Sequence, residues 1–317
     1  MGRNRGLHLQ ITIIGASSTI LFLILLVPSL TGYAYAEEVK AGIWLVNVDR
    51  FDTSTGSYNV DFYIWFRWDA SGESEKPINF EFANGRAVSI DIIRQSDGYY
   101  EARVRGTFIK KLDFTNYPFD EHTLTIEVED KVKSIDDLIF VVDDKASGVD
   151  EGLSIPGWYM KSWSIGVGEH RYPDATYSRL VFSFTLARYT LSTVLKSILP
   201  IAVISTIALL TFFIAPKNFA QRIGIGVTTL LAGVAAHLNL TSQLPQIGYL
   251  TFADKIMIIA YSIFLHGLIT TTLVIRALDK EKGEYANYIN RRALELVPVM
   301  VGILATLLFL GLDVTIV

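Results

Sequence analysis

The run RIGIGVTTLLAGVAAHLNLTS, residues 222–242, is apolar enough to cross a bilayer, yet its small and polar residues do not scatter. Gly224, Thr228, Leu231, Ala235, Leu238 and Ser242 are spaced 4, 3, 4, 3 and 4 apart, which places them on one face of a helix. Repeated by rotation about an axis, that face makes stacked rings: glycine and threonine at one end, then leucine, alanine and leucine. A ring of large apolar side chains in a narrow passage excludes water and so blocks ions. The same small residues, with Gly226, Thr229, Ala232 and Gly233, also suit close packing between membrane helices. Spacing alone leaves both readings open.

Outward from this run, three more apolar segments, at about 195–214, 255–275 and 293–312, each have about the twenty residues a span needs. Lys217 and Arg222 flank the first connection, and Arg276, Lys280, Lys282, Arg291 and Arg292 flank the third, whereas 241–251 carries no basic residue. The positive-inside rule therefore puts the first and third connections in the cytoplasm and the second outside. The third connection, 278–290, is too short for a cytoplasmic domain.

Before Tyr189 the character changes. Residues 37–188 hold 26 acidic and 17 basic side chains and all five tryptophans, while 189–317 hold only 6 acidic and 9 basic; the net charge of −4 averages two unlike halves. No basic patch argues for nucleic acid. In the acidic half the hydrophobic period is two, with turn signals every ten or so residues, which predicts a β-sandwich. Expected strands are 42–48, 58–68, 88–94, 99–109, 123–128, 138–142, 158–165 and 177–186, with turns at Gly56-Ser57, Ser96-Asp97-Gly98 and Tyr117-Pro118 and a loop over 143–156. Arg3 and Arg5, the apolar stretch 11–30 and Ala34-Tyr35-Ala36 have the form of a signal peptide cleaved after Ala36, the alternative being an uncleaved anchor. The reading is of an α+β membrane protein: signal peptide 1–36, a β-sandwich extracellular ligand-binding domain at 37–189, and a four-helix transmembrane bundle at 190–317. With no cysteine, no disulfide or thiolate metal site is available. No G-x-S-x-G, H-E-x-x-H or cysteine nucleophile supports an enzyme.

The run Arg222-Ile-Gly-Ile-Gly-Val-Thr-Thr-Leu-Leu231 resembles the pore helix of pentameric ligand-gated ion channels, the Cys-loop receptor superfamily, especially its glycine- and GABA-receptor branch. Leu112-Asp-Phe-Thr-Asn-Tyr-Pro-Phe-Asp120 resembles that superfamily's signature loop. Its bracketing cysteines would fall near Lys110 and Leu124, so the chain is similar to the cysteine-free prokaryotic members. Trp68, Arg188, Pro200 and Leu244-Pro-Gln-Ile-Gly-Tyr249 also fall at family positions. The resemblance implies a homopentamer in the plasma (inner) membrane of a prokaryote, with membrane lipid around it, no cofactor, and an agonist, a small molecule or an ion, bound between neighbouring extracellular domains. It implies a pore lined over 222–242.

The resemblance assigns coupling between the halves to Asp52, Asp120, Arg188, Pro245 and Tyr249. A guanidinium such as Arg188 at the water–lipid boundary needs a carboxylate partner, and Asp120 and Asp52 are the carboxylates the family would supply. Arg222 is either a snorkelling residue that sets helix depth or a charge at the pore mouth. Phe219-Ala220-Gln221 offers no acidic ring before it, which leans away from cation selectivity. Candidate ligand-binding aromatics are Tyr63 and Trp65 on one strand and Tyr172 and Tyr177 about a hairpin, residues that could cage a cation. The family's tryptophan-proline-acidic motif is absent, and 77–85 stands in its place. Asp143, Asp144, Asp150 and Glu151 are candidate calcium oxygens, though in no defined calcium-loop spacing. His122 and His170 are candidate proton sensors, whereas His237 and His266 read as hydrogen-bonded between spans. A non-conducting membrane receptor or scaffold with an exported binding module remains the alternative.

Overall fold

The computed structural model describes residues 36–70 and 78–310, so the expected signal peptide lies outside the described residues. Ten strands come first: β1 (Glu37–Asp52), β2 (Ser57–Arg67), β3 (Phe80–Phe82), β4 (Gly85–Ser96), β5 (Tyr99–Ile109), β6 (Glu121–Asp130), β7 (Leu138–Val142), β8 (Gly148–Val149), β9 (Trp158–Arg171) and β10 (Thr176–Arg188). One sheet runs β4-β5-β2-β1-β7, with β8 also on β1, and the other runs β3-β6-β10-β9. Pairing is antiparallel throughout, except that β7 and β8 run parallel to β1. All eight expected strands form. The stretch expected as a loop, 143–156, contains the short β8, because Gly148 sits flat against the Trp44 ring, where a Cβ would strike it.

The period of two decides which face is inside. Tyr58, Val60, Phe62, Ile64 and Phe66 of β2 and Leu180, Phe182, Phe184 and Leu186 of β10 are each 0 to 1 % exposed and meet in one core between the sheets. Each such side chain contributes about 1.5–3 kcal/mol on burial, enough to dispense with disulfides. Gly56 turns β1 into β2 with φ +67°, and a Cβ there would collide with the Lys110 carbonyl oxygen. Gly56→Ala is therefore expected to destabilise the protein by about 2 kcal/mol, read as a lowered thermal unfolding temperature of the detergent-solubilised chain.

Four helices follow, all long and apolar enough to cross a membrane: α1 (Thr190–Phe213), α2 (Phe219–Thr241), α3 (Phe252–Leu278) and α4 (Gly283–Phe309). α1 is irregular: Val194–Ile198 forms a π-helical turn ahead of Pro200. Proline has no N–H to give the Lys196 carbonyl four residues back, and a wider turn accommodates that loss. The third connection is shorter than expected, only residues 279–282, because α4 begins ten residues before its apolar stretch with a polar helical lead. The sandwich and the bundle share a second core: Phe114 and Tyr117, from the loop before β6, are buried with Ile201, Phe212, Leu240, Met257 and Phe264.

Candidate functional site

α2 shows two faces. Arg222, Gly226, Thr229, Gly233 and Leu240 are buried toward the bundle. A Cβ on Gly226 would strike Leu268, and one on Gly233 would strike Phe264, so glycine lets α3 approach closely. Gly224, Thr228, Leu231, Ala235, Leu238 and Ser242 are all exposed on the other side, Leu231 by 65 % and Leu238 by 67 %. Leu230 is half-buried against the second core.

Arg222 turns inward. It is 1 % exposed and donates to Asn290 Oδ1 on α4 at 2.5 Å; Asn290 in turn donates to the Phe212 carbonyl at 2.8 Å. The side chain is thus directed away from the exposed face, which corrects the reading of Arg222 as a charge at a pore mouth. Its register on α2 places it two residues before Gly224, where the exposed stripe begins, about 200° around the helix.

The junction of sandwich and bundle is built on Arg188, the last residue of β10. Its Nε donates to Asp120 Oδ1 at 2.8 Å, and its guanidinium lies 4.2 Å from the centroid of a Trp158 ring and 5.3 Å from that of Tyr117. Asp120 Oδ2 lies 2.6 Å from His122 Nε2, two residues on and buried beside it. Burial pushes the Asp120 carboxyl up, but the His122 hydrogen bond and the Arg188 charge outweigh it and hold the group below the ordinary 3.8.

The loop before β6 grips three parts of the bundle. The carbonyls of Thr115 and Tyr117 accept from the N–H groups of Phe252 and Ala253, both at 2.9 Å, satisfying donors that the first turn of α3 cannot satisfy within itself. Thr251 and Asp254 complete a capping box there. Tyr117 Oη donates to the Leu240 carbonyl in the last turn of α2 at 2.7 Å. Tyr249, in the linker between α2 and α3, accepts from the Phe114 N–H at 2.9 Å. Pro245 lies half-buried in the same linker. From the β1–β2 turn, Thr53 Oγ1 donates to the Gln243 carbonyl at 3.1 Å.

Asp52 does not join Arg188, which corrects the expectation that both carboxylates meet there. It accepts from the Ser54 hydroxyl at 2.6 Å and the Ser54 N–H at 3.0 Å and pairs with Arg50 at 3.4 Å; the Ser54 hydroxyl is the largest influence holding its carboxyl below 3.8. A turn carboxylate two residues before a serine closes on its own backbone first.

The aromatic candidates fall in two places. Tyr63 and Trp65 line an open cavity of about 310 Å³ with Trp44, Arg67 and Tyr99; Trp65 is 6 % exposed and donates to Asp143 at 3.2 Å. Tyr172 and Tyr177 meet edge to face, their ring centroids 5.6 Å apart, at the β9–β10 hairpin, where Tyr172 also meets Glu129, Arg179 and His170. The pairs lie on different sheets, so a shared pocket would require a second subunit. Asp143 is held by Lys40 at 3.2 Å and Arg67 at 3.3 Å, which removes it from the calcium candidates. Among the described residues no group of three or more histidines or carboxylates is arranged for a metal. His237 bridges α2 to Asp254 and Tyr261 of α3 at 3.0 and 3.2 Å, and His266 reaches the Ala293 carbonyl of α4 at 2.9 Å, as expected of interhelical histidines. Sequence reasoning missed His122 as the second partner of Asp120 and Trp158 as the platform for Arg188; the Asp-x-His spacing was the available signal for the first.

A sheet-rich domain whose lower loop caps and packs into a bundle of four apolar helices defines a multi-pass membrane protein with a folded domain at one end of its spans. No protein-family model matches the chain. It is 24 % identical over 263 residues to a proton-gated ion channel of Gloeobacter violaceus, covering 74 % of this chain and 72 % of that protein. It is 28 % identical over 178 residues to gamma-aminobutyric acid receptor subunit beta-4 of Gallus gallus, covering 55 % of this chain but only 36 % of that subunit's length. The chain is thus similar to an ion channel and to a receptor subunit, neither of them described as an enzyme, and it carries no cysteine.

Proposed function

We propose that this chain forms a homopentamer in a prokaryotic inner membrane, with residues 37–189 outside and 190–317 spanning, and that agonist bound between sandwiches opens a pore lined by α2. The carrying observation is the exposed stripe Gly224, Thr228, Leu231, Ala235, Leu238 and Ser242, opposite a face of α2 buried in its own bundle. A stripe that mixes threonine and serine with leucine fits a shared water path better than lipid, and one copy cannot surround that path. Native mass measurement or particle images in mild detergent are expected to show five-fold particles; a monomer or dimer would overturn the assembly.

Gating then passes from the sandwich through the 114–120 loop and the β1–β2 turn to the linker 242–250 and the end of α2. Five sites that each prefer the open state about tenfold supply about 7 kcal/mol, enough to reverse a closed bias of about ten-thousandfold. The proton-gated relative makes protons the first agonist to test, followed by calcium and small amines. Recording from purified protein in planar bilayers against that panel tests the reading; a protein that folds and assembles but passes no current under any of them would leave the non-conducting receptor.

A further inference from the structure

A cavity of about 550 Å³ opens at the seam between sandwich and bundle. Arg188, Tyr117 and Trp158 form its roof, the π-helical turn of α1 gives it Lys196 and Ser197, the last turns of α2 give it Asn239, and the linker that follows gives it Gln243. No carboxylate lines it. Arg188 already holds Asp120, whereas among the described residues Lys196 has no carboxylate within ion-pairing distance.

A lysine inside an apolar span is costly unless it reaches an interface or a counter-charge. Lys196 lies about 9 Å along α1 from its first residue, Thr190, near the sandwich end of the span, where a membrane would place its headgroups. Leu191, Leu195 and Leu199 are exposed on the same helix at 72, 52 and 47 % and offer an apolar surface for acyl chains beside the polar cavity. The wider turn ahead of Pro200 presents Lys196 and Ser197 together to the cavity, a donor pair matched to a phosphodiester. We propose that this cavity is a binding site for the headgroup of a net-anionic phospholipid, with Lys196 as its principal counter-charge and Ser197, Asn239 and Gln243 as hydrogen-bonding partners. The site rests on the membrane-spanning architecture and not on conduction.

The test uses the full chain, delipidated in detergent, with phosphatidylglycerol, phosphatidylcholine or inorganic phosphate added. Native mass spectrometry counts retained lipid, and thermal unfolding reports stabilisation. Phosphatidylglycerol is expected to be retained and to raise the unfolding temperature more than phosphatidylcholine. Lys196→Gln is expected to weaken that retention about tenfold, with Lys196→Arg keeping it and Lys282→Gln, at the opposite end of the bundle, unchanged. Equal retention of the two lipids by the unaltered protein, or full retention by Lys196→Gln, overturns the proposal. Equal stabilisation by inorganic phosphate assigns the cavity to a soluble anion instead. Loss of oligomeric mass in lipid-free Lys196→Gln, with no change in lipid preference, assigns Lys196 to a neighbouring subunit. Should Lys196→Gln fail to fold, the comparison of the two lipids on the unaltered protein and on Lys196→Arg still decides.

Discussion

Replacing Leu231 with serine is expected to give current without agonist, or activation at a much lower agonist concentration. Leu231 lies mid-helix on the exposed stripe of α2, with Ala235 and Leu238 continuing the apolar stretch and Thr228 and Gly224 lining a wetter path the other way. In a five-fold assembly those leucines would meet in the closed state with too little room and polarity to hold water. Losing about 1 kcal/mol of apolar contact per subunit gives about 5 kcal/mol in the pentamer, a shift of the closed-to-open ratio by more than about a thousandfold. Leu230 is the control: about 100° around the helix and half-buried against the second core, it should respond through packing and stability. If Leu231→Ser leaves basal current and sensitivity unchanged while Leu230→Ser raises both, the assigned helical phase is wrong.

The second large effect is expected at Asp120 and Arg188. Asp120 is 2 % exposed and satisfied only while Arg188 and His122 face it, so Arg188→Gln leaves a buried carboxylate short of its counter-charge, a loss of about 3–5 kcal/mol. Part of that loss should appear as a lowered unfolding temperature, and part as a right shift or abolition of gating, because the same loop caps α3 and holds the end of α2. In a double-mutant cycle, Asp120→Asn with Arg188→Gln should cost less than the sum of the two single changes. Strict additivity in both unfolding and gating would show that the pair does not couple the halves.

The sign of the pH dependence follows from the depressed carboxyl. Asp120 titrates below its ordinary 3.8 in the folded chain, so its contribution to stability is fully present above about pH 3.8 and is lost as pH falls through the lower folded value. Unfolding temperature should therefore drop steeply only below about pH 3.8, and Asp120→Asn should flatten that limb. Activation by protons at milder pH would have to act through another group. A gating midpoint near neutrality that Asp120→Asn abolishes without changing expression or stability would contradict this assignment.

The architecture was legible because hydrophobic period is a local property. Alternation at 58, 60, 62, 64 and 66 places those side chains inside a sandwich whatever the partner sheet. Long apolar runs declare spans by length alone, and the 4-3-4-3-4 spacing from Gly224 to Ser242 declares a single face. Tertiary packing decided matters that spacing does not encode. Nothing in the sequence distinguishes Asp52 from Asp120 as the carboxylate for Arg188, since that depends on which loop the sandwich lowers onto α1; Asp52 instead closes on Ser54, leaving the buried loop carboxylate to take the charge. The direction of Arg222 was equally undetermined, because a residue at the edge of a stripe can lean either way until a neighbouring helix presents an acceptor, here Asn290 of α4. The cavity above Lys196 likewise exists only where β10, the π-helical turn of α1 and the end of α2 converge, an arrangement of segments up to about fifty residues apart whose meeting is set by packing rather than by the local order of residues.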